Sequence, residues 1–203
     1  MKVLIVGGVA GGATAAARIR RLDENAKIII FERSGFISYA NCGLPYYIGG
    51  IIEDKEDLTL QTPEGFFRRF KIVAKVNHEV TDIDVKNKTV LVTDLKTGES
   101  FSESYDKLIL SPGAKPTIPD FYIDNEKIFT LRTVEDTLKI RAFVESKQPK
   151  SAIVIGGGFI GLEMAENLSE LGIDVSIIQR GNHLLPTLDC DIASFVHASN
   201  ALL

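Results

Sequence analysis

Lys2-Val3-Leu4-Ile5-Val6-Gly7-Gly8-Val9-Ala10-Gly11-Gly12 is the stretch that decides the fold. From Lys2 to Val6 the chain is a short apolar run, the pattern of a strand buried on both faces of a parallel sheet. The glycines that follow mark a tight turn, and the spacing beyond them predicts a helix over 13–22 and a second strand over 27–31 that ends at Glu32. Strand, glycine turn, helix and strand make a βαβ unit whose turn presents backbone N–H groups at a helix start, where a pyrophosphate can bind. An acid closing the second strand can hold a ribose hydroxyl, and Glu32 comes 25 positions after Gly7, near the separation of roughly 20 that this arrangement expects. One position departs from the G-x-G-x-x-G pattern. Val9 stands where the middle glycine belongs, and its Cβ crowds the point of closest backbone approach.

The pattern returns near the other end of the chain. Residues 151–155 read as a strand, Gly156-Gly157-Gly158-Phe159-Ile160-Gly161 carries all three glycines, a helix is expected over 162–171, and a strand over 174–178. The position that would read the ribose is Gln179, followed by Arg180, so this loop lacks the acid of the first and leaves NADH and NADPH both open. Between the two units, strands are expected over 72–76, 79–85, 89–93 and 107–110, with turns at 86–88 and 96–98. Phe66, Phe67 and Phe70 at helical spacing read as core. Ser111-Pro112-Gly113-Ala114 is a small-residue turn directly after a strand. Pro116 and Pro119 stiffen a linker, and a helix is expected over 133–145 with Thr133 or Asp136 near its cap.

Composition limits the class. With 203 residues, 45% hydrophobic and 25% charged, the chain is long enough for one large or two small globular domains. A net charge of −4 and a pI near 5.5 provide no positive field to gather nucleic-acid phosphates. The two cysteines, Cys42 and Cys190, are too far apart in sequence to suggest a disulfide framework and fit a reducing compartment. The apolar run at residues 3–6 is too short for a signal peptide, and no run reaches the roughly 18 apolar residues of a membrane span. A cytoplasmic protein is expected, with no nucleic-acid or membrane partner and no metal site.

Cys42 lies in Ser38-Tyr39-Ala40-Asn41-Cys42-Gly43-Leu44-Pro45-Tyr46-Tyr47. Gly followed by Pro suggests a loop entering a helix just after the sulfur, because Pro suits the first helical turn. A thiol there faces free N–H groups and the positive end of the helix dipole, the setting of a nucleophilic cysteine. Buried packing of a small apolar residue is the competing reading.

Two dinucleotide units with a cysteine just past the first suggest electrons passing from a nicotinamide through a flavin to sulfur. On these motifs the chain resembles the pyridine nucleotide–disulfide oxidoreductases, in the branch with a single redox cysteine, and looks most like the coenzyme A-disulfide reductases. The most specific portion of the likeness is Ser38-x-x-Asn41-Cys42-Gly43-Leu44-Pro45-Tyr46, and that branch also tolerates a residue such as Val9 in the first loop. The resemblance implies an α/β architecture in three segments. Residues 1–114 would begin a Rossmann-like FAD-binding domain and carry the redox cysteine, and 115–149 would be a linker and helix. Residues 150–203 would belong to an inserted, here incomplete, Rossmann-like NAD(P)-binding domain. The likeness also implies that Gly7, Gly8, Ala10, Gly11 and Gly12 cradle the FAD pyrophosphate, that Glu32 with Arg33 lies at its adenosine ribose, and that Val80 meets the adenine through its backbone. Ser111, Gly113 and Arg132 would border the flavin nucleotide; Gly156, Gly158, Ile160, Gly161 and Gln179 would hold the pyridine nucleotide; Cys42 would sit at the flavin ring.

Two-cysteine members carry a second Cys five positions after the first, where this chain has Tyr47, and Cys190 reads as a bystander near the end of a helix-like tail. A lone thiolate can cycle through a mixed disulfide with a small thiol or through a sulfenate. Relatives that reduce peroxide or oxygen carry His where Ala10 stands, so the resemblance favours coenzyme A disulfide, or a related persulfide or polysulfide, over NADH oxidase or peroxidase chemistry. Thr14, Arg18 and Arg21 fall on one helix face and could meet coenzyme A phosphates, with Ser38 and Asn41 beside the thiol and Lys71 as a further cation. Family members are about twice this length and add a further flavin contact and a dimerisation domain. A homodimer is therefore expected of the full-length protein, and a non-catalytic fragment stands as the third reading.

Overall fold

The computed structural model describes residues 1–118 and 125–200, the side chains as far as residue 198; Pro119 of the expected linker lies outside the described residues. The chain divides into two compact units, one of residues Met1–Ala40 with Thr59–Glu135, the other of Asn41–Leu58 with Asp136–Leu203.

In the first unit, β1 (Lys2–Val6), α1 (Ala10–Leu22) and β2 (Lys27–Glu32) form the expected βαβ element. β2 runs parallel to β1 with Val3 opposite Ile28 and Ile5 opposite Ile30. After α2 (Leu44–Ile48), which belongs to the second unit, come α3 (Pro63–Phe70) and β3 (Val73–Val76). Next are β4 (His78–Asp84), β5 (Thr89–Asp94), β6 (Ser100–Ser104) and β7 (Lys107–Leu110). The parallel sheet has the order β3-β2-β1-β7, and β4-β5-β6 make a separate antiparallel sheet.

Burial explains the continuous apolar runs. Val3, Ile5, Ile28 and Ile30 pack with Ala13 and Ala16 of α1 and Phe66 of α3. Their neighbours Leu4, Ile29 and Phe31 point the other way and pack with Val90 and Val92 of β5, because alternate strand residues face opposite sides. The central strands thus have no solvent face, which is why they show no polar alternation.

Three expectations need correction. Phe67 is 52% exposed, not core; only Phe66 of the trio is fully buried, and the Lys71 ammonium lies over the Phe67 ring at 5.4 Å. Strand β6 was not expected, since four of its five residues are Ser or Glu and only Phe101 marks the inward face. The two long helices after the glycine loops begin about three residues earlier than periodicity suggests, because glycine in a first turn hides the helical signal.

The second unit contains α4 (Val134–Lys147), β8 (Ser151–Ile155), α5 (Phe159–Glu170), β9 (Asp174–Ile178) and α6 (Cys190–Asn200). β8 and β9 pair in parallel, with Ile153 opposite Ser176 and Ile155 opposite Ile178. Ile153, Ile155 and Ile178 are more than half exposed on one side of this two-stranded sheet. Cys190 is the first residue of α6 rather than near the end of the tail. Among the described residues no helix is long and apolar enough to cross a membrane.

Gly7 is where the first turn is most constrained. Its φ is +93°, and a Cβ there would lie 2.0 Å from the Ser111 carbonyl oxygen. Left-handed strain and a backbone clash add, so Gly7→Ala is expected to destabilise the protein by on the order of 2–4 kcal/mol. Equilibrium denaturant unfolding checks this, and a change below about 0.5 kcal/mol would contradict it.

Candidate functional site

The first loop is built on backbone hydrogen bonds. Gly7 N–H donates to the Phe31 carbonyl at 2.8 Å, and Ser111 N–H donates to the Val6 carbonyl at 2.8 Å, so the turn is gripped by the ends of β2 and β7. Gly8 N–H donates to Glu32 Oε2 at 2.7 Å, and Ser34 N–H donates to the other oxygen at 2.8 Å. Glu32 is 7% exposed, and these two bonds fix its carboxylate at the turn. Gly12 packs so close to Gly7 that a Cβ would lie 1.8 Å from the Gly7 carbonyl oxygen. Ala10 and Gly11, by contrast, are exposed at the start of α1.

Helix α1 starts at Val9 without a side-chain cap, which leaves its first N–H groups for an anion. The Ser111 side chain borders Gly11, and the Arg132 guanidinium stands 3.9 Å from where a Cβ on Gly113 would project. Arg33 is exposed and 4.0 Å from Glu79. The Val80 side chain packs into the core between the two sheets, at the edge of a register shift in β4.

On α1, Thr14, Arg18 and Arg21 are all exposed, as their spacing requires. The cation that sequence reading passed over, Arg20, is structural: it donates to the carbonyls of Phe70, Asp23, Glu24, Ala26 and Lys71. Lys71 is exposed as the left-handed C-cap of α3. Ser38, with φ +47°, donates its N–H to the Gly8 carbonyl and accepts from Leu60 N–H, both at 2.9 Å.

In the second unit the same loop recurs. Gly156 has φ +108° and donates its N–H to the Ile178 carbonyl at 2.8 Å; Gly157 N–H donates to Gln179 Oε1 at 2.9 Å. Gly161 packs on the Gly156 carbonyl as Gly12 does on Gly7. Helix α5 begins at Gly158 without a side-chain cap, and a Cβ on Gly158 would meet no atom within 4 Å. Ile160 is half exposed beside it. Open space in front of uncapped N–H groups is what a pyrophosphate requires, so both loops fit a dinucleotide.

Asn41, Cys42 and Gly43 form a 3₁₀ turn that leads into α2, with Pro45 in its first turn and Cys42 exposed. Tyr47 is buried, and the Arg141 guanidinium lies 4.2 Å from its ring centre. Arg141 also donates to the carbonyls of Tyr47, Ile52 and Glu53 at 3.0–3.3 Å. Gly49 caps α2 against Asn167 of α5, which is fully buried; a Cβ on Gly49 would lie 2.2 Å from Asn167 Oδ1. Neither Arg141 nor Asn167 was flagged by the sequence: Arg141 bonds backbone carbonyls 88–94 positions away, and Asn167, whose Nδ2 donates to the Glu163 carbonyl, meets Gly49 across more than 100 positions. Cys190 is also free and exposed.

The family model for pyridine nucleotide-disulphide oxidoreductases matches residues 1–201. The chain belongs to that family. It is 47% identical over 191 residues to the coenzyme A disulfide reductase of Staphylococcus haemolyticus, covering 94% of this chain and 43% of that protein. Among solved structures, the reduced Bacillus anthracis protein named CoADR-RHD superposes with a TM-score of 0.95 at 48% identity, covering 98% of this chain and 36% of that one. The NAD-dependent persulfide reductase from A. fulgidus gives 0.92 at 35% identity, over 98% and 38% of the two chains. The chain therefore spans less than half the length of these relatives. The Rossmann-like α/β fold expected from the glycine motifs is borne out.

Because the Asn167 contact leaves no room beside Gly49, Gly49→Ala is expected to lower stability by roughly 1–3 kcal/mol. Amide exchange over residues 44–52 should accelerate with it. Unchanged protection there would show that Asn167 does not hold α2.

Proposed function

We propose that the protein to which this chain belongs is a flavin-dependent NAD(P)H oxidoreductase that reduces coenzyme A disulfide, or a related coenzyme A persulfide, through Cys42. The observation that carries the reading is an exposed thiol at the head of α2, four residues along the chain from Ser38, whose N–H is bonded to the first glycine loop. The identity to coenzyme A disulfide reductases supports the substrate class.

The first glycine loop and the uncapped start of α1 would hold the FAD pyrophosphate, with Glu32 and Arg33 at the ribose, Val80 backbone at the adenine, and Ser111, Gly113 and Arg132 bordering the rest. Gly156, Gly158, Ile160, Gly161 and Gln179 would hold the pyridine nucleotide. Bound flavin supplies the two electrons, received as hydride from NAD(P)H, that reopen a disulfide.

The chain's own role is sulfur exchange. The Cys42 thiolate attacks one sulfur of the substrate disulfide, the S–S bond breaks, and one coenzyme A thiolate leaves while a Cys42–S–S–coenzyme A bond forms. Two electrons then cleave that bond, releasing the second thiolate and restoring Cys42. Tyr47 stands where a second thiol would resolve the mixed disulfide internally, so the small-molecule thiol must leave at each turnover. Thr14, Arg18 and Arg21 would meet the substrate's phosphates, together with Ser38, Asn41 and Lys71.

Cys42→Ser in the full-length protein tests this. Flavin absorbance per chain should be retained while NAD(P)H-dependent coenzyme A disulfide reduction falls by about 10³-fold or more. Retained turnover would refute the assignment.

A further inference from the structure

The segment that leaves β2 is anchored from outside along its length. Ser34 N–H donates to Glu32 Oε1 at 2.8 Å, and the Ser34 carbonyl accepts from Asn77 N–H at 2.9 Å. Four residues on, Ser38 N–H is bonded to the Gly8 carbonyl. Between these lies Gly35, whose N–H donates to Glu135 Oε1 at 2.8 Å across 100 positions of sequence. Glu135 is the second residue of α4, three positions after Arg132, where the chain still belongs to the first unit.

Two features separate this acid from a solvated residue at a helix start. Its Oε2 is buried with no hydrogen-bond partner among the described residues. A buried carboxylate oxygen without a donor is costly, so a side chain that only filled this space would be better apolar. An acid in the first turn also suits the helix dipole, but that benefit needs neither burial nor a distant partner. The bond to Gly35 requires both. It acts one residue from Ser34, which supplies one of the two N–H groups that fix the Glu32 carboxylate at the first glycine loop. The Ser34 hydroxyl is turned inward, donating to the Phe36 carbonyl at 3.0 Å. Without the Gly35 anchor, the carbonyl bond to Asn77 is left to keep Ser34 N–H aimed at Glu32.

We infer that Glu135 is a positioning residue for the FAD site: through Gly35 and Ser34 it keeps the Glu32 carboxylate in the orientation that accepts from the adenosine ribose. It acts through the turn and not by touching the nucleotide, because its free oxygen is buried. This rests on the proposed reading that Glu32 lies at that ribose.

Flavin titration of the full-length apoprotein tests it without turnover. FAD and its 2′-deoxyadenosine analogue differ in one ribose hydroxyl, the group that an acid closing the second strand accepts from. The unaltered protein should bind FAD about tenfold or more tightly than the analogue. Glu135→Asp keeps the charge but is one methylene too short to reach Gly35, and it should bring the two ligands to within about threefold. Glu135→Gln loses the charge but keeps an acceptor oxygen at full reach, and it should retain the preference. A preference that survives Glu135→Asp, or one that Glu135→Gln abolishes, overturns the inference and leaves Glu32 at the ribose. Equal binding of both ligands by the unaltered protein overturns the reading of Glu32 as well.

Discussion

The hydrogen bond between Gly8 N–H and the Glu32 carboxylate joins the turn after β1 to the end of β2, and the geometry of the first unit follows from it. It holds the loop flat against the strand ends. Gly7 can then pass through a conformation open only to glycine, under the Ser111 carbonyl, and α1 can start with its N–H groups bare. A buried carboxylate is costly unless its oxygens are paired, and Glu32 has one N–H on each. The second unit repeats the bond with an uncharged partner. That substitution keeps the loop shape and changes the electrostatics beside it.

Much of this was legible in the sequence because it is local. Glycine spacing, the apolar runs of β1 and β2 and the acid at Glu32 fix a βαβ unit by themselves, and the same holds for β8, α5 and β9. What could not be read depends on distant partners. Arg20 and Arg141 look like solvated helix cations, yet each binds several backbone carbonyls from other segments. Gly49 carries no packing signal in its local sequence, yet its missing side chain is required by Asn167, more than 100 positions later. Phe67 went wrong for a simpler reason: helical spacing places three aromatics on nearby faces, and only packing shows that the middle one covers nothing and instead receives a lysine.

The thiol brings these strands together. Cys42 precedes a helix of only five residues, too short to be stable by itself. Arg141 from α4 and Asn167 from α5 supply the stability it lacks, so the short helix is carried by the unit that also bears the second glycine loop. Tyr47, buried under the Arg141 guanidinium, fills the position five residues after Cys42 with a phenol rather than a second thiol.

Both cysteines are exposed and free, which makes the central claim open to a direct comparison within one molecule. Incubation with coenzyme A disulfide, followed by peptide mapping by mass spectrometry under non-reducing conditions, reads which sulfur exchanges. The account predicts one coenzyme A adduct per chain, on the peptide containing Cys42, with Cys190 unmodified. Equal labelling of Cys190, or no adduct on Cys42, would contradict it.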